Sequence, residues 1–236
     1  MSEPLVFLPG MMADARLFLP QLVALGTKYA VQVILPTQGD NVEDMSQFVL
    51  DQTPAKFALI GHGLGGAVAL DVLRRAAERV TRVVLISTPP LSVSPQVAAE
   101  REMRVVAARS GRLGEAMAQE IPEAALCNTE WRADVLALVK DMAFGLGEGV
   151  YLRQTRAMQR RPDQQKTMRR IKIPALIMAG EADTLLPVRR QEFTSGLMPY
   201  GKMCIIPEAG HLPSLEQPEA VSQAIETFMN GSLLLR

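Results

Sequence analysis

The chain has 236 residues, enough to bury one sizeable α/β core and too few to argue for two independent ones, so a single domain is expected. Its 25 basic residues balance its 25 acidic ones, and a composition of 48% hydrophobic and 21% charged residues gives no field that would recruit nucleic acid. Two histidines leave little for a histidine-built metal site, Cys127 and Cys204 lie far apart without metal-ligand spacing and read as buried thiols in a reducing compartment, and no apolar run reaches the ~18 residues of a membrane span.

Met1-Ser2-Glu3-Pro4 lacks the basic start and long apolar core of a secretion signal, so a cytoplasmic location is expected. Leu5-Val6-Phe7-Leu8 is an unbroken apolar run, the pattern of a strand covered on both faces, and it stops at Pro9-Gly10. Apolar residues at helical spacing from Leu17 to Leu25, with Pro20 in the first turn and Gly26 at the end, predict a helix. Val31 to Leu35 reads as a second strand closed by Pro36, and Met45 to Leu50 as a modest helix. Lys56 to Ile60 is the third strand. Leu64 to Arg79 is a helix with Ala67, Val68, Leu70 and Leu73 towards the sheet and Arg74, Arg75 and Glu78 towards water, and Arg82 to Ser87 is the fourth strand. This alternation predicts a mostly parallel, helix-covered sheet whose ligands collect at the carboxyl ends of the strands.

From Leu91 to about Arg170 the strand signal gives way to helical patterns over Gln96 to Arg109, Leu113 to Glu120, Trp131 to Phe144 and Gly149 to Arg160. Breaks at Gly111, Gly114, Pro122, Gly145, Gly147 and Pro162 cut the stretch into short pieces, which predicts a lid over the sheet and not a self-sufficient bundle. Met103, Met117, Met142, Met158 and Met168 give it a flexible apolar content that serves either as plain core or as a substrate lining. The basic group Arg156, Arg160, Arg161, Lys166, Arg169 and Arg170 reads as a solvated helix face. Strands return at Pro174 to Gly180 and Lys202 to Ile206, separated by a helix over Val188 to Met198 and followed by one over Pro218 to Met229. That makes about six strands, and Gly231 to Arg236 reads as a frayed end or an added remnant.

Between the third strand and its helix lies Gly61-His62-Gly63-Leu64-Gly65-Gly66. Gly61 and Gly65 would let a strand end and a helix start pass closely without Cβ clashes. A turn of this kind is where a strained residue can present a reactive side chain above a sheet, but its central residue here is Gly63. Alone the run is weak, equally a plain strand–turn–helix contact or a poor phosphate loop. Two later loops give it context: Gly180-Glu181-Ala182-Asp183-Thr184-Leu185-Leu186-Pro187, and Glu208-Ala209-Gly210-His211-Leu212-Pro213-Ser214-Leu215-Glu216-Gln217-Pro218. A histidine is a base near neutral pH, and a buried carboxylate on its far nitrogen fixes its tautomer, so Asp183 and His211 are a candidate pair. The bland alternatives are Asp183 as a cap of the helix near Pro187 and His211 as a satisfied loop residue. His62 is expected to look away from the site, because adjacent residues on a strand end point to opposite faces. Ser87 and Thr88 read as a polar strand end, since neither sits on an elbow or has an assigned base.

Together with the elbow, these loops resemble the three catalytic loops of the α/β-hydrolase family, in the chain order nucleophile, acid, base, and the resemblance extends from Leu5 to Met229. It implies an α/β-hydrolase fold: a mostly parallel central sheet with helices on both faces, a core of 1–90 and 171–236, and a helical lid over about 91–170. It further implies hydrolysis of a carboxylic ester, thioester, lactone or amide through an acyl-enzyme, with Asp183 as acid, His211 as base, and the N–H groups of Met11 and Leu64 as oxyanion hole. The implied partner is a small molecule with an apolar acyl part, with no cofactor or metal, no nucleic acid and no membrane, and the oligomeric state is left open. The opening Leu8-Pro9-Gly10-Met11-Met12-Ala13-Asp14-Ala15-Arg16-Leu17-Phe18 resembles a subgroup of small bacterial hydrolases with proline where relatives carry histidine. At the nucleophile position the family has serine, less often cysteine or aspartate, and this chain has Gly63, so impaired or altered activity is expected. Three accounts of Gly63 stand open: a replaced serine, a natural homologue that binds a ligand or partner without turnover, or a water activated directly by His211.

Overall fold

A computed structural model describes residues 3–231, so most of the expected frayed end, 232–236, lies outside the described residues. Six strands, β1 (Leu5–Leu8), β2 (Val31–Val33), β3 (Phe57–His62), β4 (Val80–Ile86), β5 (Ala175–Gly180) and β6 (Gly201–Ile206), form one sheet in the order β2-β1-β3-β4-β5-β6. Every pairing is parallel. Parallel neighbours need crossovers, and helices supply them: α1 (Leu19–Gly26), α2 (Val42–Gln52), α3 (Leu64–Ala76), α4 (Pro95–Arg109), α5 (Leu113–Glu120), α6 (Arg132–Leu146), α7 (Glu148–Arg160), α8 (Gln165–Arg170) and α9 (Val188–Leu197). A single turn, α10 (Pro213–Glu216), and α11 (Pro218–Asn230) close the chain.

Alternate strand residues enter different cores. Leu5, Phe7, Ile60, Val84, Ile86 and Met178 cluster with side chains of α1, α11 and α4 to α7, while Val6, Leu8, Leu59, Val83, Leu85 and Ile177 cluster with α2, α3 and α9. Burial on both faces is why these strands read as continuous apolar runs and not as alternating patterns. α2 starts three residues before the expected Met45, where the Asn41 side chain accepts the Asp44 N–H at 2.7 Å and caps the first turn.

β3 runs two residues past the expected Ile60, with Gly61 opposite Leu8 and Leu85, and His62 opposite Ile86. That extension decides where His62 points. α10 was not expected, because a four-residue turn is too short to carry a period. Cys127 and Cys204 are free but only partly buried, in contrast to the expected buried thiols. Cys204 sits on β6, an edge strand with one side unpaired. Among the described residues no helix is long and apolar enough to cross a membrane.

Candidate functional site

At the end of β3 the chain turns sharply through Gly63, which has φ 52° and ψ −112°, a conformation that strains any residue with a Cβ. Its N–H donates to the Ile86 carbonyl at 3.0 Å and its carbonyl accepts from Ala67 N–H at 3.1 Å, which ties the turn to β4 and to the first turn of α3. A Cβ on Gly61 would lie 2.6 Å from the Gly65 carbonyl oxygen, and one on Gly65 would lie 2.0 Å from that of Leu8, so both glycines serve close approach. At Gly63 an added Cβ would meet only the Gly10 Cα, at an ordinary 3.8 Å. Space for a side chain exists there, and only the backbone angle resists one.

Leu64 opens α3, so its N–H has no intrahelical acceptor, and the positive end of the helix dipole lies beside the turn. The loop after β1 also lines this space. Ala13 N–H bonds the Gly10 carbonyl at 3.2 Å and Met12 N–H bonds Gln154 Oε1 at 2.8 Å, while the Met11 N–H between them has no acceptor among the described residues. Met12 takes a strained φ of 55°. Gln154, fully buried on α7, fixes that conformation and anchors itself through Nε2 to the Pro36 carbonyl at 3.1 Å.

Asp183 follows β5 and His211 follows β6, and both are buried. His211 Nδ1 donates to Asp183 Oδ2 at 2.9 Å, and Ser87 Oγ donates to the same oxygen at 3.0 Å. Asp183 Oδ1 accepts the N–H groups of Leu185 and Leu186, each at 2.9 Å. One Asp183 oxygen closes the turn before α9 and the other orients the imidazole, while the helix itself is capped at Pro187 without a side chain, so Asp183 is not the helix cap. Burial disfavours the Asp183 charge, but the bonds from His211, Leu186 and Ser87 outweigh it and hold the carboxyl below its usual range.

Three neighbours of His211 were missed or misread in the sequence. Glu216, in α10, is a buried carboxylate whose Oε2 accepts from Gly210 N–H at 2.9 Å and Cys127 N–H at 2.7 Å, and whose Oε1 accepts from Leu212 N–H at 2.9 Å. It brackets His211 on both sides. Ser87 belongs to more than a polar strand end, because its hydroxyl faces the acid. His62 does not look away. With β3 extended, it shares the face of Ile60, its Nε2 donates to the His211 carbonyl at 2.9 Å, and the two rings meet edge-on with centroids 5.2 Å apart. Burial first, and then the nearby His211, push the His62 pKa down to about 4, so the ring stays neutral.

A cavity of about 300 Å³ lies over Gly63, and Met11, Leu64, Leu185 and His211 contribute to its wall. α4 to α7 supply much of the rest. Of the five methionines weighed as a lining, Met142 and Met158 reach the cavity, Met117 and Met168 are buried elsewhere, and Met103 is exposed. Arg161 also lines it, contrary to the expected solvated face. α7 ends at Arg160, and the extended backbone of Arg161 swings its guanidinium inward to the carbonyls of Leu91 and Met158. A larger groove of about 820 Å³ along β6 and α11 includes neither Gly63 nor His211. Among the described residues no group of three or more His, Cys, Asp or Glu side chains is placed to hold a metal ion.

This sheet order, the turn at Gly63 and the paired loops after β5 and β6 define an α/β hydrolase. The sequence model of the alpha/beta hydrolase family matches residues 5–224, and the chain belongs to that family. It is 26% identical to a pimeloyl-[acyl-carrier protein] methyl ester esterase of Aromatoleum aromaticum over 83% of each chain. It is 29% identical to the biotin biosynthesis bifunctional protein BioHC of Teredinibacter turnerae, where the match takes in 95% of this chain but only 44% of that longer protein. Its fold is shared with a thermophilic esterase from Thermogutta terrifontis, with a TM-score of 0.87 at 24% identity over 97% of this chain and 90% of the other. Relatives of this kind are consistent with ester hydrolysis at the level of the family.

Proposed function

We propose that the chain binds carboxylic esters, or related thioesters, lactones or amides, in the cavity over Gly63, and that its hydrolytic capacity is reduced by glycine at the nucleophile position. The observation that carries this reading is the buried 2.9 Å His211–Asp183 hydrogen bond beside a turn whose Cβ position is open. In this reading Asp183 fixes the His211 tautomer and stabilises the imidazolium, and His211 Nε2 is the base. The N–H groups of Met11 and Leu64 receive the oxyanion, favoured by the α3 dipole. Residues 91–170 act as the lid on a single domain with its core in 1–90 and 171–236. An apolar acyl group packs against Met142 and Met158, and the protein works in the cytoplasm.

With no side-chain nucleophile, turnover by the chain as it stands should be small. Losing a triad serine costs ~10⁶ in kcat, while an oxyanion hole and binding keep ~10³–10⁴ over water. Any residual rate that depends on the imidazole would come from a water giving its proton to His211 Nε2 as its oxygen adds to the carbonyl carbon; collapse then expels the alkoxide, which takes that proton. His211→Ala abolishes such a rate, whereas an unchanged rate leaves only passive oxyanion stabilisation.

The deciding experiment is Gly63→Ser. The serine Oγ adds to the carbonyl carbon as its proton passes to His211, the alcohol leaves with that proton, and water releases the acid. The variant should turn over activated short-chain esters and accept a serine-reactive phosphonate. If it folds but does neither, the chain is a ligand- or partner-binding member of the family, the reading that glycine at position 63 itself favours.

A further inference from the structure

We propose, resting on the reading of this cavity as an acyl-substrate site, that its substrate carries an anionic group, a carboxylate or a phosphate, beyond the reacting carbonyl, and that Arg101 and Arg161 hold it. Four guanidinium groups, those of Arg101, Arg104, Arg161 and Arg190, line the same cavity as Gly63 and His211, and the carboxylate facing them is Glu120. Glu120 is already engaged: its Oε2 is shared between Arg104 Nη1 at 3.1 Å and, at the longer distance of 3.7 Å, Arg101 Nη2, and Tyr151 donates to Oε1 at 3.2 Å.

Arg190 is exposed, and one shared carboxylate does not offset the other three guanidiniums, so Arg101 and Arg161 are short of counter-charge. Arg101 has a side chain only 17% exposed, and its Nη1 is buried with no hydrogen-bond partner. Arg161 spends Nε and Nη1 on the neutral carbonyls of Leu91 and Met158, at 2.9 and 2.7 Å, and pairs with no carboxylate among the described residues. Burial, together with the neighbouring Arg101, pushes the Arg161 guanidinium down to about 10, the behaviour of a charge that lacks an anion. Secluding a cation without its partner is costly, and a ligand anion removes that cost on binding.

The position fits the substrate and not the acid–base pair. Asp183 is saturated by His211, Ser87, Leu185 and Leu186, with no arginine among its partners. Arg101, Arg161 and Arg190 also line a second cavity of about 620 Å³, so they stand at the junction of the pocket over Gly63 and a wider opening. Arg101 Nη1 and Arg161 Nη2, neither bonded among the described residues, suit a carboxylate or phosphate that takes one N–H from each guanidinium.

Calorimetry on the unaltered chain tests this with three probes: monomethyl suberate, its neutral counterpart dimethyl suberate, and the methyl ester of 6-(phosphonooxy)hexanoate. At least one anionic ester should bind about tenfold or more tightly than the neutral diester, with an advantage that shrinks as salt rises. Whichever anionic ester binds more tightly identifies the head group. Arg101→Met combined with Arg161→Met should bring the ratio of anionic to neutral affinity close to one. Equal or undetectable binding of all three probes, or an advantage that survives loss of both arginines, overturns the proposal, and the comparison in the unaltered chain needs no variant to fold. Hydrolysis of a neutral p-nitrophenyl ester by Gly63→Ser is the separate check on the hydrolase reading. Charge preference without that turnover supports the anion site and removes the hydrolase, and turnover without charge preference does the reverse.

Discussion

A serine at position 63 would meet little steric resistance, with its Cβ 3.8 Å from the Gly10 Cα, yet it would have to hold φ near 52°. The Gly63→Ser variant should therefore lose about 1–3 kcal/mol of stability, read as a lower denaturant midpoint, while it gains ester turnover. Equal midpoints for the two chains would mean that the serine had relaxed the turn. Residue identity at the three loops was legible because Gly63, Asp183 and His211 each stand at a strand end in a recognisable string. The orientation of His62 was not legible, because it depends on whether β3 stops at Ile60 or runs to His62, and two residues decide which face a ring occupies. The inward turn of Arg161 depends likewise on where α7 ends. Glu216 reads as an ordinary charge in a loop until the fold brings the amides of Gly210, Leu212 and Cys127 to it.

The helices between β4 and β5 do more than line the cavity, because they hold two loops that border it. From α7, Gln154 takes the Met12 N–H, and from the segment between α5 and α6 the Ala125 carbonyl takes the His211 N–H at 2.8 Å. These contacts span 142 and 86 positions respectively, so no local pattern announces them. In the Gly63→Ser background, Gln154→Ala should leave a strained Met12 with an unpaired amide, lowering kcat roughly tenfold through a loosened loop at the proposed oxyanion hole, less than the 10²–10³ for deleting a donor, with KM little changed. Stability should fall by about 1–3 kcal/mol for the buried N–H left unpaired. Gln154→Glu keeps the acceptor and should restore part of kcat; a kcat equal in all three would show that the loop holds itself. The helical character of this stretch was readable from periodicity, but its function as a brace was not.

Over the whole molecule, a mostly parallel sheet of about six strands was foreseeable because two-sided burial writes β1, β3, β4 and β5 as apolar runs separated by helical periods, while the strand order and the partly buried edges β2 and β6 carry no such mark. Acid sensitivity is a property at the same scale. His62 has a folded pKa of about 4 against an ordinary 6.5, so the unfolded chain binds the extra proton first. Stability from this group is complete above pH 6.5 and drains away as pH falls towards 4, by on the order of 3 kcal/mol. Asp183, whose folded value lies below its ordinary 3.8, acts in the same direction at lower pH. Denaturant midpoints measured from pH 7 to pH 4 should fall steeply in the parent chain and much less in His62→Asn. Parallel slopes for the two would show that His62 titrates normally in the folded state.

Backbone atoms crowd Gly61 and Gly65 so closely that no other residue fits, and they do so whether or not any ester is ever cleaved. Asp183 is similarly useful to the fold, since it satisfies two amides of the turn before α9. The imidazole of His211, by contrast, has no hydrogen-bond partner but Asp183 among the described residues. A lineage selected for abundance alone would therefore keep its glycines and its aspartate and let position 211 drift. In a saturation library sorted by cellular protein level, substitutions at 61 and 65 should vanish while several at 211 persist. Sorting by abundance therefore separates the residues that the fold requires, 61 and 65, from the one whose side chain it leaves free to vary, 211.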